Sequence, residues 1–399
     1  MRIRIESNLW KIYAYKLLSD FYLIVPVLIP YYKANGLSST QVFVVQAAYA
    51  FFVLTFEIPS GYLADVLGRR TTLILGAAAF PLGIFVYFQG SGFFAFILAE
   101  FILAVANSMR SGSDSAIIFD SLSQMNRETE YTKFEGRSFF YSRLGSSTAS
   151  ITGGLLALSS LKLPFLINIF SACLMLPLAL SLVEPRRRKL STANPLRGIL
   201  RISRFSLAHK SLRLYIFAGA MIMSTGIIGL WSFFLYYRSL GISVGFFGII
   251  FAIFQLSSAM GSLKAHAVSR SLGENKALLT VLILPLTLIC LGFFKTLFMI
   301  PLIMLYAFAW GLCYPIILNA LNRYITSDVR ATVLSVANMT GSLSYVVFAP
   351  VFGRLIDVTS LSGAYWILAG NFLVFVPFLL FFISRRTKEI PKSPGLFMD

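Results

Sequence analysis

Apolar and polar positions alternate along this chain in long blocks. Runs of about twenty mainly apolar residues recur, and each ends at a short polar or basic stretch. A helix of roughly 20 residues crosses a hydrocarbon layer about 30 Å thick, and the runs are too uniformly apolar for membrane barrel strands. The pattern predicts twelve transmembrane helices, over residues 9–32, 38–61, 71–89, 94–117, 138–160, 163–183, 214–237, 243–263, 276–294, 297–320, 331–352 and 365–384.

Composition agrees with a chain that lies mostly in lipid. Of its 399 residues 57% are hydrophobic and 13% are charged, and the mean hydropathy is +0.78. We therefore expect an all-α polytopic membrane protein. The three cysteines, Cys173, Cys290 and Cys313, fall inside apolar runs, where thiols act as small hydrophobes, so neither a disulfide framework nor a metal site is predicted.

The net charge of +18 is explained by its distribution. With twelve spans, both termini and every second loop share one side, and that side carries 26 Lys and Arg residues against five on the other. The positive-inside rule places this side, with both termini, in the cytoplasm. The protein is accordingly predicted to lie in the cell (inner) membrane. Because topology accounts for the charge, nucleic acid is not expected as a partner.

The longest polar loop divides the chain at its midpoint. It covers residues 184–213 and is predicted to be a cytoplasmic linker between an N-terminal six-helix half, 1–183, and a C-terminal six-helix half with a short tail, 214–399. Gly61 ends the second span before a basic loop, and Gly261 ends the eighth span in the same way. This internal similarity predicts two pseudo-symmetric halves.

The loop after the second span carries the sharpest motif. The stretch "GYLADVLGRRTTL" resembles the signature of the major facilitator superfamily, Gly-x-Leu-Ala-Asp-x-x-Gly-Arg-Arg/Lys, in spacing and in position. The matching residues are Gly61, Leu63, Ala64, Asp65, Gly68, Arg69 and Arg70. The resemblance implies the twelve-helix major facilitator fold, transport by alternating access, and a latch on the cytoplasmic side formed by the gating residues Gly61, Asp65, Gly68, Arg69 and Arg70.

Elementary chemistry suggests how such a latch would hold. Asp65 can accept hydrogen bonds from a helix N-terminus, and Arg69 can pair with a carboxylate across the interface between the two halves. Glu57, one turn before the loop, is expected to be a partner for a latch arginine.

A run of small residues marks the fifth span. Gly145, Ala149, Ser150, Gly153 and Gly154 resemble the antiporter motif Gly-x-x-x-Gly-Pro-x-x-Gly-Gly, with Ala in place of the second Gly and Ser in place of Pro. The same spacing is common where membrane helices pack closely. Antiport and close packing both remain open interpretations.

Polar residues inside the first, fourth and fifth spans are candidates for binding or coupling. Within the fourth span Glu100, Asn107 and Asp114 recur every seven residues and are predicted to share one helix face, with Arg110 about 60° aside. Drug exporters of the family carry an arginine in this span, although the pattern Arg-x-x-Gln-Gly is not followed here. The fifth span adds Arg143.

The first span contains Lys16 and Asp20, four residues apart, and they interrupt what could otherwise be a signal peptide, so we expect a retained span. Asp20 lies about 15 Å beyond Trp10 on a continuous helix, close to the membrane midplane. An ion pair between Asp20 and Arg110 of the fourth span is then possible. Alternatively, Lys16 and Asp20 neutralise each other and only hold helices together.

Aromatic residues are the candidates in the second half. Trp231, Trp310 and Tyr314 are predicted to line a central cavity, whereas Tyr236 and Tyr237, near a span end, are typical of an interfacial aromatic belt.

These features predict a secondary active transporter that resembles the 12-span drug/proton antiporter branch. It would export a small amphipathic compound in exchange for protons taken by Asp20, or by Glu100 or Asp114, as a monomer without a cofactor. The alternative is uptake or facilitated transport of a small anionic or polar metabolite bound by Lys16, Arg110 and Arg143. An enzyme is not expected, because the only histidines, His209 and His266, lie in loops and no catalytic motif is present.

Overall fold

Helices form almost all of the described part of the chain. The structure is a computed structural model that describes residues 2–185, 210–322, 325 and 327–386, so most of the predicted linker, with His209, lies outside the described residues. The α-helices are α1 Arg2–Ser19, α2 Leu28–Ala34, α3 Ser39–Leu67, α4 Arg69–Gln89, α5 Phe93–Arg110, α6 Ser113–Gln124, α7 Tyr131–Leu156, α8 Leu163–Cys173, α9 Met175–Ser181, α10 Lys210–Ser239, α11 Val244–Leu272, α12 Glu274–Leu278, α13 Ile283–Phe293, α14 Ile300–Asn322, α15 Ser327–Val358 and α16 Leu361–Arg386.

Each of the twelve predicted segments coincides with helical structure. Within the described residues, nine stretches are long and apolar enough to cross a membrane. The other three predicted segments do not meet this criterion of length and apolarity, each for its own reason. The first is broken, the fifth carries many polar residues, and the last is described as an apolar stretch only over Leu361–Val374. The chain is an all-α polytopic membrane protein.

The prediction of a continuous first span was wrong. Helix α1 ends at Ser19, a short 3-10 helix follows at Val25–Val27, and α2 starts at Leu28. Pro26 stands in the first turn of the 3-10 helix, and a proline disfavours helical backbone at the residue before it. Residues 20–24 therefore belong to no helix, although the composition of the segment alone suggests one continuous helix.

The fourth span is broken in the same way, at a glycine. Gly112 has a φ of 77° and separates α5 from α6. This left-handed conformation is accessible to glycine without strain, so the turn is encoded locally. Because the helix does not continue, the predicted common face of Glu100, Asn107 and Asp114 is interrupted before Asp114.

Small residues on α7 let it approach the first span closely. A side chain at Gly145 would collide with the carbonyl of Leu17, and one at Gly153 would collide with the carbonyl of Leu23. Gly154, on another side of α7, faces the backbone of Gly248 in α11. The small-residue spacing of the fifth span therefore serves close helix packing in this structure.

The described chain forms two compact units. One contains residues 2–185 and 237–252, and the other contains residues 210–236 and 253–386. In the second unit, the indole of Trp310 fills the space beside Gly226, and Tyr306 donates a 2.7 Å hydrogen bond to the carbonyl of Thr225. The predicted division at 184–213 falls mostly outside the described residues.

Candidate functional site

Arg110 is the centre of a polar cluster in the first unit. It is the last residue of α5, and its Nη1 donates to the carbonyl of Ser19, the last residue of α1, at 2.9 Å. The same nitrogen lies 3.3 Å from Oδ1 of Asp20, and Nη2 donates to Oδ1 of Asn107 at 2.8 Å. A cation at the C-terminal end of α1 is favoured by the unpaired carbonyls and the helix dipole there.

Asp20 links three helical segments at the break in the first span. One of its carboxylate oxygens faces Arg110, and the other accepts a hydrogen bond from Ser142 of α7. The ion pair that the sequence predicts between the first and fourth spans is therefore present. Asp20 retains 28% side-chain exposure against 17% for Arg110, so this carboxylate is the more accessible member of the pair.

Lys16 has a different partner from the one its spacing suggests. Its Nζ lies 2.5 Å from Oδ2 of Asp114 in α6, and the Asp114 side chain is almost completely buried. The interpretation of Lys16 and Asp20 as a mutually neutralising pair was wrong, because α1 ends at Ser19 and Asp20 leaves the helical register. Two cations and two carboxylates thus form a cluster without net charge, which reduces the cost of burying them.

Asn168 of α8 stabilises the open backbone after Asp20. Its Nδ2 donates to the carbonyl of Phe21 at 2.9 Å, and its Oδ1 accepts from the amide of Leu23 at 3.1 Å. Asn168 is completely buried. Backbone polar groups inside a membrane need partners within the protein, so this side chain replaces the hydrogen bonds that a helix would have made. The sequence analysis missed Asn168, an isolated amide in an apolar span.

A small cavity adjoins Arg110. It is lined by Tyr15, Tyr22, Gly76, Phe80, Ala106, Asn107, Arg110 and Met175. Its wall combines aromatic rings with the amide of Asn107 and the guanidinium of Arg110. The cavity is smaller than a typical ligand pocket, so in this conformation it is a gap between helices at Arg110.

Glu100 belongs to a second, separate cluster. Ten residues before Arg110 on α5, it lies about 15 Å away along the helix axis. Its Oε1 accepts from Tyr32 at 3.2 Å and from Gln46 at 3.3 Å, and the hydroxyls of Tyr32 and Tyr87 are 2.5 Å apart. Glu100, Asn107 and Asp114 therefore have three different sets of partners.

Arg143 is not brought into either cluster. It is exposed on α7, and its guanidinium packs over the ring of Phe139 at 4.7 Å from the centroid. The preceding residue, Ser142, is the one that contacts Asp20.

The signature loop is a tight connection between α3 and α4. Gly68 joins them with a φ of 107°. Nη1 of Arg69 lies 2.5 Å from Oδ2 of Asp120 in α6, and Nη2 of Arg70 donates to the carbonyl of Leu180 at 2.7 Å. Arg69 is predicted from the sequence to reach a carboxylate in the other half, but its partner Asp120 lies in the same unit.

Glu184 is the acid that the sequence analysis missed in this loop. Its two carboxylate oxygens accept from the backbone amides of Arg69, at 3.0 Å, and Arg70, at 2.7 Å, and so cap the N-terminus of α4. This is the role expected of Asp65, which is exposed, as is Gly61. Glu57 is also exposed, and none of the ion pairs found in the described residues contains it.

A further ion pair lies outside the membrane spans, between α6 and α7. Nε of Arg127 donates to Oε1 of Glu130 at 2.6 Å, and its Nη1 donates to Glu6 at 3.1 Å. The bond to Arg127 lowers the pKa of Glu130, and the bond to Glu130 raises the pKa of Arg127. Both side chains are accessible to solvent, so this pair matters chiefly as a pH-sensitive surface contact.

The predicted cavity aromatics of the second unit differ in environment. Trp231 and Trp310 are half-buried, and Tyr314 is exposed, with its hydroxyl donating to Oδ1 of Asn338 at 3.2 Å. The belt interpretation of Tyr236 and Tyr237 was wrong. Both rings are buried, and the hydroxyl of Tyr236 donates to the carbonyl of Phe294 at 2.6 Å.

Comparison with known families agrees with this architecture. The model of the Major Facilitator Superfamily matches residues 17–349 and, again, residues 216–397. The chain belongs to the Major Facilitator Superfamily, a family of membrane transporters.

Individual relatives share little sequence identity with this chain. The chain is 25% identical over 327 residues to the protein described as "Uncharacterized MFS-type transporter YceJ" of Bacillus subtilis (strain 168), a match that covers 80% of each chain. Among solved structures, the nucleoside transporter NupG superposes with a TM-score of 0.75 at 14% identity, over 97% of this chain and 99% of that one.

A bacterial homologue of the human lysosomal transporter Spinster, in an inward-facing and unoccupied conformation, gives a TM-score of 0.74 at 18% identity, over 98% of this chain and 99% of its own. A POT family transporter in complex with a thioalcohol-conjugated peptide gives 0.72 at 16% identity, over 97% of both chains. At these identities the likeness establishes the fold alone.

Proposed function

We propose that this transporter is a secondary active exporter, which exchanges protons for a small amphipathic compound by alternating access, with both termini in the cytoplasm. The observation that carries the proposal is the position of Asp20. Its carboxylate stands at a break in a transmembrane span, between Arg110 and Ser142. Discontinuous spans are where many secondary transporters place their coupling and substrate sites.

A proton on Asp20 would change the balance of the cluster. In the deprotonated state Asp20 and Asp114 compensate Arg110 and Lys16. Protonation of Asp20 removes one negative charge and leaves Arg110 held only by neutral oxygens, those of Ser19 and Asn107. Because an uncompensated buried charge is costly, the protonated cluster favours another arrangement of the helices around it. Proton binding is thereby linked to the opening of one side of the site.

A cationic or amphipathic substrate would compete for the same carboxylate. The cavity beside Arg110 offers the rings of Tyr15, Tyr22 and Phe80 to an apolar body. A substrate cation that binds Asp20 displaces its proton, and each proton that enters down the membrane potential supplies about 2.3 kcal/mol per 100 mV. Glu100 and Asp114 are the other carboxylates considered for coupling. The buried bond of Asp114 to Lys16 makes it the weaker candidate.

The latch role of the signature loop is part of the same proposal. Arg69 and Arg70 fix the loop to α6 and α9 through their side chains and to Glu184 through their backbone amides. We propose that these contacts hold the cytoplasmic side closed in one state and loosen in the other. Asp65 and Gly61, exposed here, would contribute their contacts in the closed state.

The second candidate is uptake or facilitated transport of a small anionic or polar metabolite. Two partly buried cations, Lys16 and Arg110, favour it. The nucleoside transporter and the peptide-bound POT family transporter among the structural neighbours favour it as well. Against it, both cations have carboxylate partners here, and Arg143 lies apart over Phe139.

Flux measurements in proteoliposomes separate the two candidates. Ethidium, a lipophilic cation, serves as the probe for proton exchange, and radiolabelled uridine serves as the probe for a polar metabolite. The proposal predicts that ethidium leaves the vesicles when the imposed gradient drives protons into them. When the gradient is inverted, ethidium is predicted to enter. Flux of uridine with no effect of the gradient on ethidium would instead support the second candidate.

A further inference from the structure

Glu100 is a buried carboxyl group without a cation. It is only 5% exposed, and its contacts come from three helices: Tyr32 of α2, Gln46 of α3 and Tyr87 of α4. Each of these groups is neutral. None of the ion pairs in the described part of the chain includes Glu100. Its environment therefore differs in kind from that of Asp20 and Asp114, which face Arg110 and Lys16.

A carboxylate in such a place needs a positive partner. An ionised acid inside the hydrocarbon layer costs several kcal/mol unless it is paired, whereas a protonated acid is uncharged and keeps its hydrogen bonds. Two phenolic hydroxyls and the amide nitrogen of Gln46 form the wall around Glu100. This set suits a proton on the carboxyl group, and hydroxyl and carboxylate oxygens are also ligands for a small hard monovalent cation.

The cluster is rigid enough to act as a defined site. Nε2 of Gln46 donates to the hydroxyl of Tyr32 at 3.0 Å as well as to Glu100. The rings of Tyr32 and Tyr87 are both completely buried, and both pack against Phe96, at 5.2 and 5.4 Å between centroids. The site is thus closed by aromatic packing, and its polar atoms are fixed before a cation arrives.

Helix α5 connects this cluster with the Arg110 site, because Glu100 and Arg110 both belong to it. A change of charge at one site is therefore expected to affect the other, since charges in a low-dielectric interior interact over longer distances than in water.

We propose that Glu100, with Tyr32, Gln46 and Tyr87, forms a second monovalent-cation site that holds a proton in the present conformation. For its role, as a second binding site for the coupling ion about 15 Å from Arg110 along α5, the inference rests on the proposed function. The site itself is defined by its own contacts. Binding and release move only a proton, which the carboxyl group takes from water and returns to water when the site opens.

Infrared spectroscopy of the purified protein in lipid tests the site without any transport measurement. The probe is the carbonyl stretch of a protonated, buried carboxyl group at neutral pH, in choline buffer without sodium. The wild type is expected to show this band, Glu100→Gln to lose it, and Asp20→Asn to retain it. Glu6→Gln, a change at an exposed carboxylate, is the matched control and is expected to leave the band unchanged.

A further variant and a change of buffer cation identify the ion bound at Glu100 and control for misfolding. Tyr32→Phe keeps the acid but removes a hydrogen-bond donor, so its band is expected to shift rather than vanish. Loss of the wild-type band when sodium replaces choline would identify Na⁺ as a competing occupant of the same site. Absence of the band from the wild type in sodium-free buffer, or an unchanged band in Glu100→Gln, overturns the proposal. Either result leaves ethidium exchange through Asp20 untouched, so the two proposals fail separately.

Discussion

Arg110 and Asp20 face each other across two helix ends, with Nη1 of the arginine 3.3 Å from Oδ1 of the aspartate. Asp20 directly follows α1, and Arg110 is the last residue of α5. Both residues stand where a predicted span is interrupted. The two breaks therefore position the site, and several of the predictions below concern the groups packed around them.

The first prediction is a double-mutant cycle on this pair. Arg110→Ala leaves the partly exposed carboxylate of Asp20 without its cation and is expected to lower stability by about 1–3 kcal/mol. Adding Asp20→Asn removes that charge, so the double variant should recover part of the loss. The midpoint of thermal unfolding in detergent measures both. Additive losses would show that the two side chains do not interact.

Close packing of α7 against the first span gives the second prediction. Gly153→Ala introduces a methyl group against the carbonyl of Leu23 and should cost about 1–3 kcal/mol of stability. Gly136→Ala, on the same helix but with open space around it, is the matched control and should be neutral or stabilising by up to about 1 kcal/mol. Equal unfolding midpoints for the two variants would contradict the packing described here.

The third prediction concerns the open backbone after Asp20. Asn168→Ala leaves the carbonyl of Phe21 and the amide of Leu23 without their partner, at roughly 1–3 kcal/mol for each unsatisfied group. Asn371→Ala is the control, because that exposed asparagine bonds only to its own helix, at the carbonyl of Ile367. We expect a large fall in unfolding temperature for the first variant and little change for the second. A fall of the same size in both would argue against a special role for Asn168.

The fourth prediction is a pH dependence outside the membrane. Arg127 lowers the pKa of Glu130 in the folded protein, so this contact stabilises fully above the usual pKa of a glutamate and is lost as the pH falls through the lowered value. The raised pKa of Arg127 adds no dependence in this range, because the arginine stays charged.

The measurement is the unfolding temperature between roughly pH 7 and pH 3. Wild-type protein should lose more stability than Arg127→Gln between about pH 5 and pH 3, and the two curves should converge at the acid end. Arg354→Gln, at an exposed arginine of the second unit, should follow the wild type. Parallel curves for wild type and Arg127→Gln would exclude the pair as a source of acid sensitivity.

Particular residues show how far the sequence leads. The positions of the apolar segments were predicted correctly, although the first and fourth are broken, because lipid solvation imposes a length and a composition that can be read locally. The ion pair of Asp20 with Arg110 was predicted as well, since a buried charge inside a span needs a partner and few are present.

The sequence does not predict which charged side chains pair with each other. Lys16 binds Asp114 and not Asp20 because α1 stops at Ser19, and the only local sign of that break is Pro26, six residues beyond Asp20. From the sequence, Glu184 is the first residue of the predicted linker. An acid directly after a span and opposite a basic loop is nevertheless a signal that could have indicated its contact with that loop. These contacts depend on which helix ends meet, which no periodicity encodes.

The central claim is that Asp20 couples proton movement to transport. Its most direct test compares ethidium flux through wild type and Asp20→Asn in proteoliposomes, with an imposed proton gradient and, separately, in gradient-free exchange. We predict that Asp20→Asn loses gradient-driven accumulation of ethidium by at least about tenfold, a differential interaction of about 1.4 kcal/mol, and that gradient-free exchange falls as well because the substrate cation loses its carboxylate partner. Full gradient-driven accumulation by Asp20→Asn would contradict the account.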